Sequence, residues 1–228
     1  MSRAGSFALL LVGAAMLQAP TASAQSASSP ASRFELGIGG LWMGTESLGS
    51  KTATETTGSG AATPLFNTSS DLAGAFGVEG RLGVRVFRSL VAEADASYLK
   101  PQLRIATSAD TESAAPVTAT ETVQQVTIGG GVLWYLTGEH QSSRVAPFLM
   151  AGAGYLRQLH EQGTLVGEGS YYQFGGGANL LLVSSRRFHT KGIGARVDFR
   201  ALIRSKGIAF DGGSTTSPAA GVSAFVRF

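Results

Sequence analysis

Arginine and carboxylate side chains stand two residues apart along several stretches of this chain. Glu79, Arg81 and Arg85 fall in one such stretch, Glu93 and Asp95 in a second, and Arg196, Asp198, Arg200 and Arg204 in a third. Residues two apart on an extended chain share a face, so each stretch presents a row of charge on one side. Rows of this kind can supply a catalytic carboxylate pair, line an ion path, or neutralise one another as a structural network. The network is the reading adopted here, because buried charge persists only when it is paired and hydrogen-bonded.

Other candidate chemistry is weaker. His140, His160 and His189 all fall in connections rather than on a common element, and no HExxH spacing occurs, so they read as surface histidines and no metal is expected. His140-Gln141-Ser142 sets a base two residues from a hydroxyl, but no carboxylate is placed to orient the base as a nucleophile requires. Gly192-Ile193-Gly194 and Gly152-Ala153-Gly154 begin like dinucleotide loops and lack the third glycine; they read as strand positions where neighbours approach closely. No Walker-type phosphate loop is present and no cofactor is expected. The formal charge of +3 is spread without a basic stripe, which argues against nucleic acid.

The elements carrying the charged rows alternate with the period of a strand that has two unlike faces. Apolar faces are formed by Phe34, Leu36, Ile38, Gly40 and Trp42; by Phe76, Val78, Gly80, Leu82, Val84 and Val86; and by Leu90, Ala92, Ala94, Ala96 and Tyr98. A fourth runs through Val126, Ile128, Gly130, Val132, Trp134 and Leu136, with Gln125 and Thr127 opposite. For the fifth, Phe148, Met150, Gly152, Gly154 and Leu156 are taken as the apolar face, although Leu149, Ala153 and Tyr155 would also serve. Tyr172, Phe174, Gly176, Ala178, Leu180 and Leu182 form a sixth against Gln173 and Asn179. Ile193, Ala195, Val197, Phe199, Ala201 and Ile203 form a seventh, and Ala220, Val222, Ala224, Val226 and Phe228 the last, with Ser223 and Arg227 between.

Eight strands of this kind predict an all-β chain. Of the 228 residues 31 are glycine, none is cysteine and 14% are charged. The longest apolar run, residues 7–17, falls short of the about 20 residues a membrane helix needs. With Arg3 before it and Ala22-Ser23-Ala24 after it, that run reads as a cleavable signal peptide over residues 1–24. A Ser/Ala/Pro tail over 25–32 and a single domain over 33–228 follow. The connections alternate long and short, as expected of a barrel with short turns at one end and longer loops at the other. The longest, residues 46–73, is rich in Thr, Ser, Gly and Ala and reads as a mobile or partner-binding loop.

Several features direct the apolar face outward into lipid. The opposite face carries mixed charge suited to a closed interior. Lys51, Lys100, Lys191 and Lys206 are expected in loops or at strand ends. Trp42, Tyr98, Trp134, Tyr135, Tyr171 and Tyr172 gather near strand ends, where interfacial girdles belong. In hydrocarbon an unpaired amide is costly, so a sheet spans only by closing on itself. Eight strands leave a bore that side chains can fill, and the glycine triplets at 129–131 and 175–177 make room for arginines opposite.

The leader, the eight segments, the stretch Pro147-Phe148-Leu149-Met150-Ala151-Gly152-Ala153-Gly154-Tyr155 and the closing Gly221-Val222-Ser223-Ala224-Phe225-Val226-Arg227-Phe228 resemble the small outer-membrane β-barrel proteins of Gram-negative bacteria, such as the OmpA transmembrane domain and OmpX. The resemblance implies an eight-stranded antiparallel transmembrane β-barrel in the cell outer membrane, reached through the periplasm. It implies that Val222, Ala224, Val226 and Phe228 form the C-terminal segment read by the barrel-assembly machinery, and that outer-membrane lipid and lipopolysaccharide surround the barrel. The chain stops at the barrel, without the peptidoglycan-binding domain of full-length OmpA-type proteins. Some such barrels modify lipid A, and the spacing of His140 and Ser142 matches that of the lipid A deacylase family. Here that pair falls in a polar turn on the periplasmic side, away from the outer leaflet. The expected function is a non-enzymatic structural or surface-interaction role, with an unknown ligand for the external loops; a narrow porin-like channel or a lipid A-modifying enzyme are the alternatives.

Overall fold

A computed structural model of the chain describes residues 32–56, 58, 60, 62–108, 115–137, 144–160, 165–184, 192–205 and 214–228. The expected leader, the tail as far as residue 31, His140, Ser142, His189, Lys191 and Lys206 lie outside the described residues. The strands are β1 (Phe34–Met43), β2 (Glu46–Thr56), β3 (Ala62–Leu72), β4 (Ala75–Arg85), β5 (Leu90–Leu99), β6 (Gln102–Ser108), β7 (Val117–Tyr135), β8 (Val145–His160), β9 (Leu165–Val183), β10 (Gly192–Ser205) and β11 (Ser214–Arg227).

Eight of these close on themselves in the order β1, β4, β5, β7, β8, β9, β10, β11 and back to β1, every neighbouring pair antiparallel. The eight alternating segments of the sequence are these eight staves. The last strand closes the ring against the first, in a register running from Glu35 opposite Arg227 to Met43 opposite Ala219. Closure leaves no edge within the ring, as hydrocarbon demands.

The outer face is apolar around the ring. Leu36, Ile38, Phe76, Val78, Ile128, Trp134, Phe174, Phe199 and Val222 are all exposed, Phe76 by 81%. On a soluble protein so continuous an apolar band would be a liability; around a closed cylinder it has the form of the lipid-facing belt that a transmembrane barrel presents.

Two expectations about side-chain direction are corrected. On β8 the apolar face chosen from the sequence points the wrong way: Phe148, Met150 and Leu156 are buried in the bore, and Leu149 and Tyr155 face out. Tyr135 and Tyr171 do not belong to the aromatic girdle either, because both rings are buried inside. The bore of this barrel is partly apolar, so hydrophobicity alone did not separate its two faces.

A third correction concerns the long connections. Residues 46–73 contain β2 and β3, and the connection after β5 contains β6, with β7 beginning at Val117. Together β2, β3, β6 and the first residues of β7, from Val117 to Thr122, make a four-stranded sheet that carries the barrel wall past its rim. Because β7 is continuous through 19 residues, the extension and the wall share one strand. Both faces of the projecting part meet solvent, so its Thr and Ser residues lack the apolar alternation that marks a half-buried strand. Gly49, with φ of 107°, takes the left-handed conformation at the register shift where β2 leaves the rim.

Candidate functional site

The charged rows converge inside the barrel because inward positions on successive staves lie at matching heights. Arg81 on β4 donates from Nε to Glu79 Oε2 at 2.8 Å, and its Nη2 is 3.0 Å from Asp198 Oδ2 on β10. Arg200 on β10 returns the contact as a fork, Nη1 to Glu79 Oε1 at 2.8 Å and Nη2 to Glu79 Oε2 at 2.9 Å, while its Nε donates to Asp198 Oδ1 at 2.9 Å. Paired N–H donors in this geometry are the strongest arrangement a carboxylate can accept. Arg196 spans to the far wall, where Nη1 meets Glu93 Oε2 of β5 at 2.6 Å, and its Nε lies 3.3 Å from Asp198 Oδ2. Asp198, fully buried, thus sits among three guanidinium groups.

Asp95 is held differently, by neutral donors from β9: Gln173 Nε2 at 3.0 Å and the Tyr171 hydroxyl at 3.0 Å. Arg204 pairs with Glu46, Nη1 to Oε2 at 2.8 Å, where β2 begins. Arg85 stands apart from these contacts. It lies at the turn end of β4, half-exposed, and among the described residues it forms no ion pair; its backbone N–H bonds to Arg33 O at 2.8 Å.

Apolar layers cover the charged belt at both ends. At the extended end Leu41, Met43, Leu48, Leu72, Leu99, Leu103, Val123 and Ala219 pack together across the mouth. At the turn end Val91, Leu133, Tyr135, Ala146, Phe148 and Met150 do the same. The layers touch the belt directly: the Arg196 guanidinium lies over the Phe148 ring at 4.4 Å. Between belt and upper cap a small cavity is lined by Asp95, Gln125, Tyr171 and Arg200 among others, with room for about one or two waters.

Glycine lets the belt assemble. A Cβ on Gly221 would fall 2.8 Å from Arg81 Nη2 and 3.0 Å from Asp198 Oδ2, and one on Gly175 would meet Phe199 O at 2.1 Å. Of the two triplets, 175–177 abuts Arg200 and Asp198, whereas Gly129 makes space for the Tyr171 hydroxyl.

Gln173, Asn179, Ser223 and Arg227, which the alternation places opposite the apolar faces, take part in the interior bonding. Arg227 binds Glu35 at 2.8 Å, Asn179 donates to the Tyr135 hydroxyl at 2.8 Å, and Ser223 accepts from Arg81 at 3.1 Å. Glu46 escaped notice because its surroundings lack an alternating pattern. On the outer face of β11, Val222, Ala224 and Phe228 are exposed and Val226 half-exposed. His160, half-exposed at the end of β8, contacts Glu121.

The bore therefore joins six of the eight staves, β1, β4, β5, β9, β10 and β11, with charge-assisted bonds and has an apolar layer at either end. Among the described residues no set of three or more His, Asp or Glu side chains is placed to hold a metal ion.

No family model matches the chain, and no curated protein matches it. Among solved structures, a crystal structure of Neisserial surface protein A (NspA) is similar with a TM-score of 0.49 and 13% identity, covering 85% of this chain and 95% of that one. The outer membrane protein OprG from Pseudomonas aeruginosa is similar with a TM-score of 0.49 and 12% identity, covering 86% of this chain and 95% of that one. The fold of this chain is a closed barrel of eight antiparallel strands.

Proposed function

We propose that this barrel resides in the cell outer membrane with its bore closed, and that its work is done by the projecting sheet rather than by transport or catalysis. The observation that carries this reading is the stacking of apolar cap, ionic belt and apolar cap along the bore. An ion entering from either end meets side chains such as Leu72 or Leu133, each about 1% exposed, before it reaches the central belt of Glu79, Asp198 and Arg200. Moving an ion into such a layer costs its hydration, several kcal/mol or more.

Orientation follows from the extended sheet. Polar on both faces, it is suited to the outside of the cell, with the short turns toward the periplasm. Val222, Ala224, Val226 and Phe228 would be available on the lipid side of β11 to the barrel-assembly machinery before closure, and to lipid and lipopolysaccharide afterward.

Planar-bilayer recording tests the closed bore. The wild-type chain is expected to give no unitary conductance, and Arg200→Ala to give only brief, small events, because both caps stay in place. Steady conductance from the wild-type protein would replace this reading with the narrow channel. Unaltered lipid A on overexpression is the matching expectation for the absence of catalysis.

A further inference from the structure

The projecting sheet has one edge that the fold leaves unpaired. β2 stands last in the sheet order, hydrogen-bonded to β3 on one side, and among the described residues no strand pairs its other side from Ser50 to Thr56. Open edges recruit further strands, and proteins usually blunt them with charge or proline. This edge carries two charges, Lys51 and Glu55, both exposed and neither ion-paired among the described residues.

Their spacing is self-complementary. If two copies of β2 run antiparallel about Ala53, Lys51 of each copy falls directly opposite Glu55 of the other, and Ser50 falls opposite Thr56. Directly opposed residues of opposite charge stabilise a strand pair, and like charges there oppose it. Parallel pairing in register does the reverse, setting lysine against lysine and glutamate against glutamate. The edge therefore admits one direction of self-pairing and resists the other.

Direction decides where the second copy must be. β2 continues β1 out of the barrel, and barrels in one membrane all send β2 away from that membrane. Two such strands lie antiparallel only if their barrels sit in membranes that face each other. We propose that β2 pairs with β2 of a second copy on an apposed membrane, so that the protein acts as a self-recognising contact between cells. The proposal rests on the outward orientation of the extended sheet given above.

From Glu46 to Ala53 the strand reaches roughly 23 Å at 3.3 Å per residue, so the joined membranes come within about 50 Å of each other. Bare vesicles are thus the right setting, since they carry no thick glycan layer. The full chain is reconstituted into phosphatidylcholine vesicles and clustering is followed by light scattering. Wild-type vesicles are expected to cluster, and Lys51→Glu and Glu55→Lys vesicles each to cluster about tenfold more slowly or not at all.

Mixing the two variant populations should restore clustering between unlike vesicles, because each then offers the charges the other lacks. Carrying both substitutions in one chain should restore it within a single population. Wild-type vesicles that stay dispersed, single variants that cluster like wild type, or mixtures that do not recover would each overturn the proposal. Heat-modifiable gel migration, measured on every sample, reports the barrel separately: its loss in the wild type would overturn the barrel reading instead.

Discussion

Arg196 on β10 and Glu93 on β5 meet across the bore at 2.6 Å, although their strands lie four places apart around the eight-strand ring. The pair is a brace across the full width of the cylinder, and both side chains are buried. Replacing Arg196 with methionine would leave Glu93 buried without its countercharge, a loss of about 3–5 kcal/mol. Adding Glu93→Gln should recover much of that loss, because the uncompensated charge is then gone. Urea unfolding of the vesicle-inserted protein, compared among wild type, single and double variants, measures both effects; equal stability of the two variants would contradict the brace.

The direction of β8 can be tested by labelling. The chain has no cysteine, so a single introduced thiol is unique. Leu149→Cys, at a site 48% exposed, should react with a lipid-soluble maleimide in intact vesicles, whereas Phe148→Cys, at a site 1% exposed, should react only after unfolding. The reverse pattern would restore the face first read from the sequence.

Phe148 and Leu149 also mark where sequence stops being informative. Strands such as β4 and the first two-thirds of β10 are legible because large apolar residues alternate with charged or small ones: a side facing lipid can hold no Arg, and a side facing the bore can. β8 places large apolar residues on both sides, since its inner face packs beneath Arg196 in the lower cap, and periodicity cannot choose between them. Tyr135 and Tyr171 mislead for a related reason, as a tyrosine suits a girdle or a polar interior equally well. The projecting strands β2, β3 and β6 are hidden by the opposite condition, water on both faces. As for the charged belt, its residues are visible in the sequence but its partnerships are not. Which carboxylate meets Arg196 depends on the closure that brings β10 opposite β5.

Glycine positions offer a contrast between substitutions of the same size. A Cβ on Gly175 would lie 2.1 Å from Phe199 O and 2.8 Å from Arg200 Cα, both backbone atoms that cannot step aside. Around Gly80, on the lipid face, nothing lies within 4 Å of the added atom. Gly175→Ala should therefore force β9 and β10 apart and cost about 1–3 kcal/mol or more through overpacking, while Gly80→Ala should be neutral or slightly stabilising. Folding yield into detergent micelles, read from heat-modifiable migration, separates the two.

Glu46 and Arg204 link the projecting sheet to the barrel. Glu46 opens β2 immediately after the break at Gly44 and Thr45, and its Oε2 lies 2.8 Å from Arg204 Nη1 at the top of β10. Both side chains are buried beside the upper cap, where Leu48 follows on β2. Glu46→Gln removes the charge but keeps the shape, leaving Arg204 buried with a weaker partner, a change of about 3–5 kcal/mol if the site stays dry. The site has a cheaper escape, because β2 is a sheet edge and can lift from the rim to admit water. The expected result is local: faster hydrogen exchange at the backbone amides of residues 46–50, with little change along β1 or β4 and a smaller loss of global stability than Arg196→Met produces. Uniform loss of protection throughout the barrel would show instead that this pair supports the whole cylinder rather than the root of the sheet.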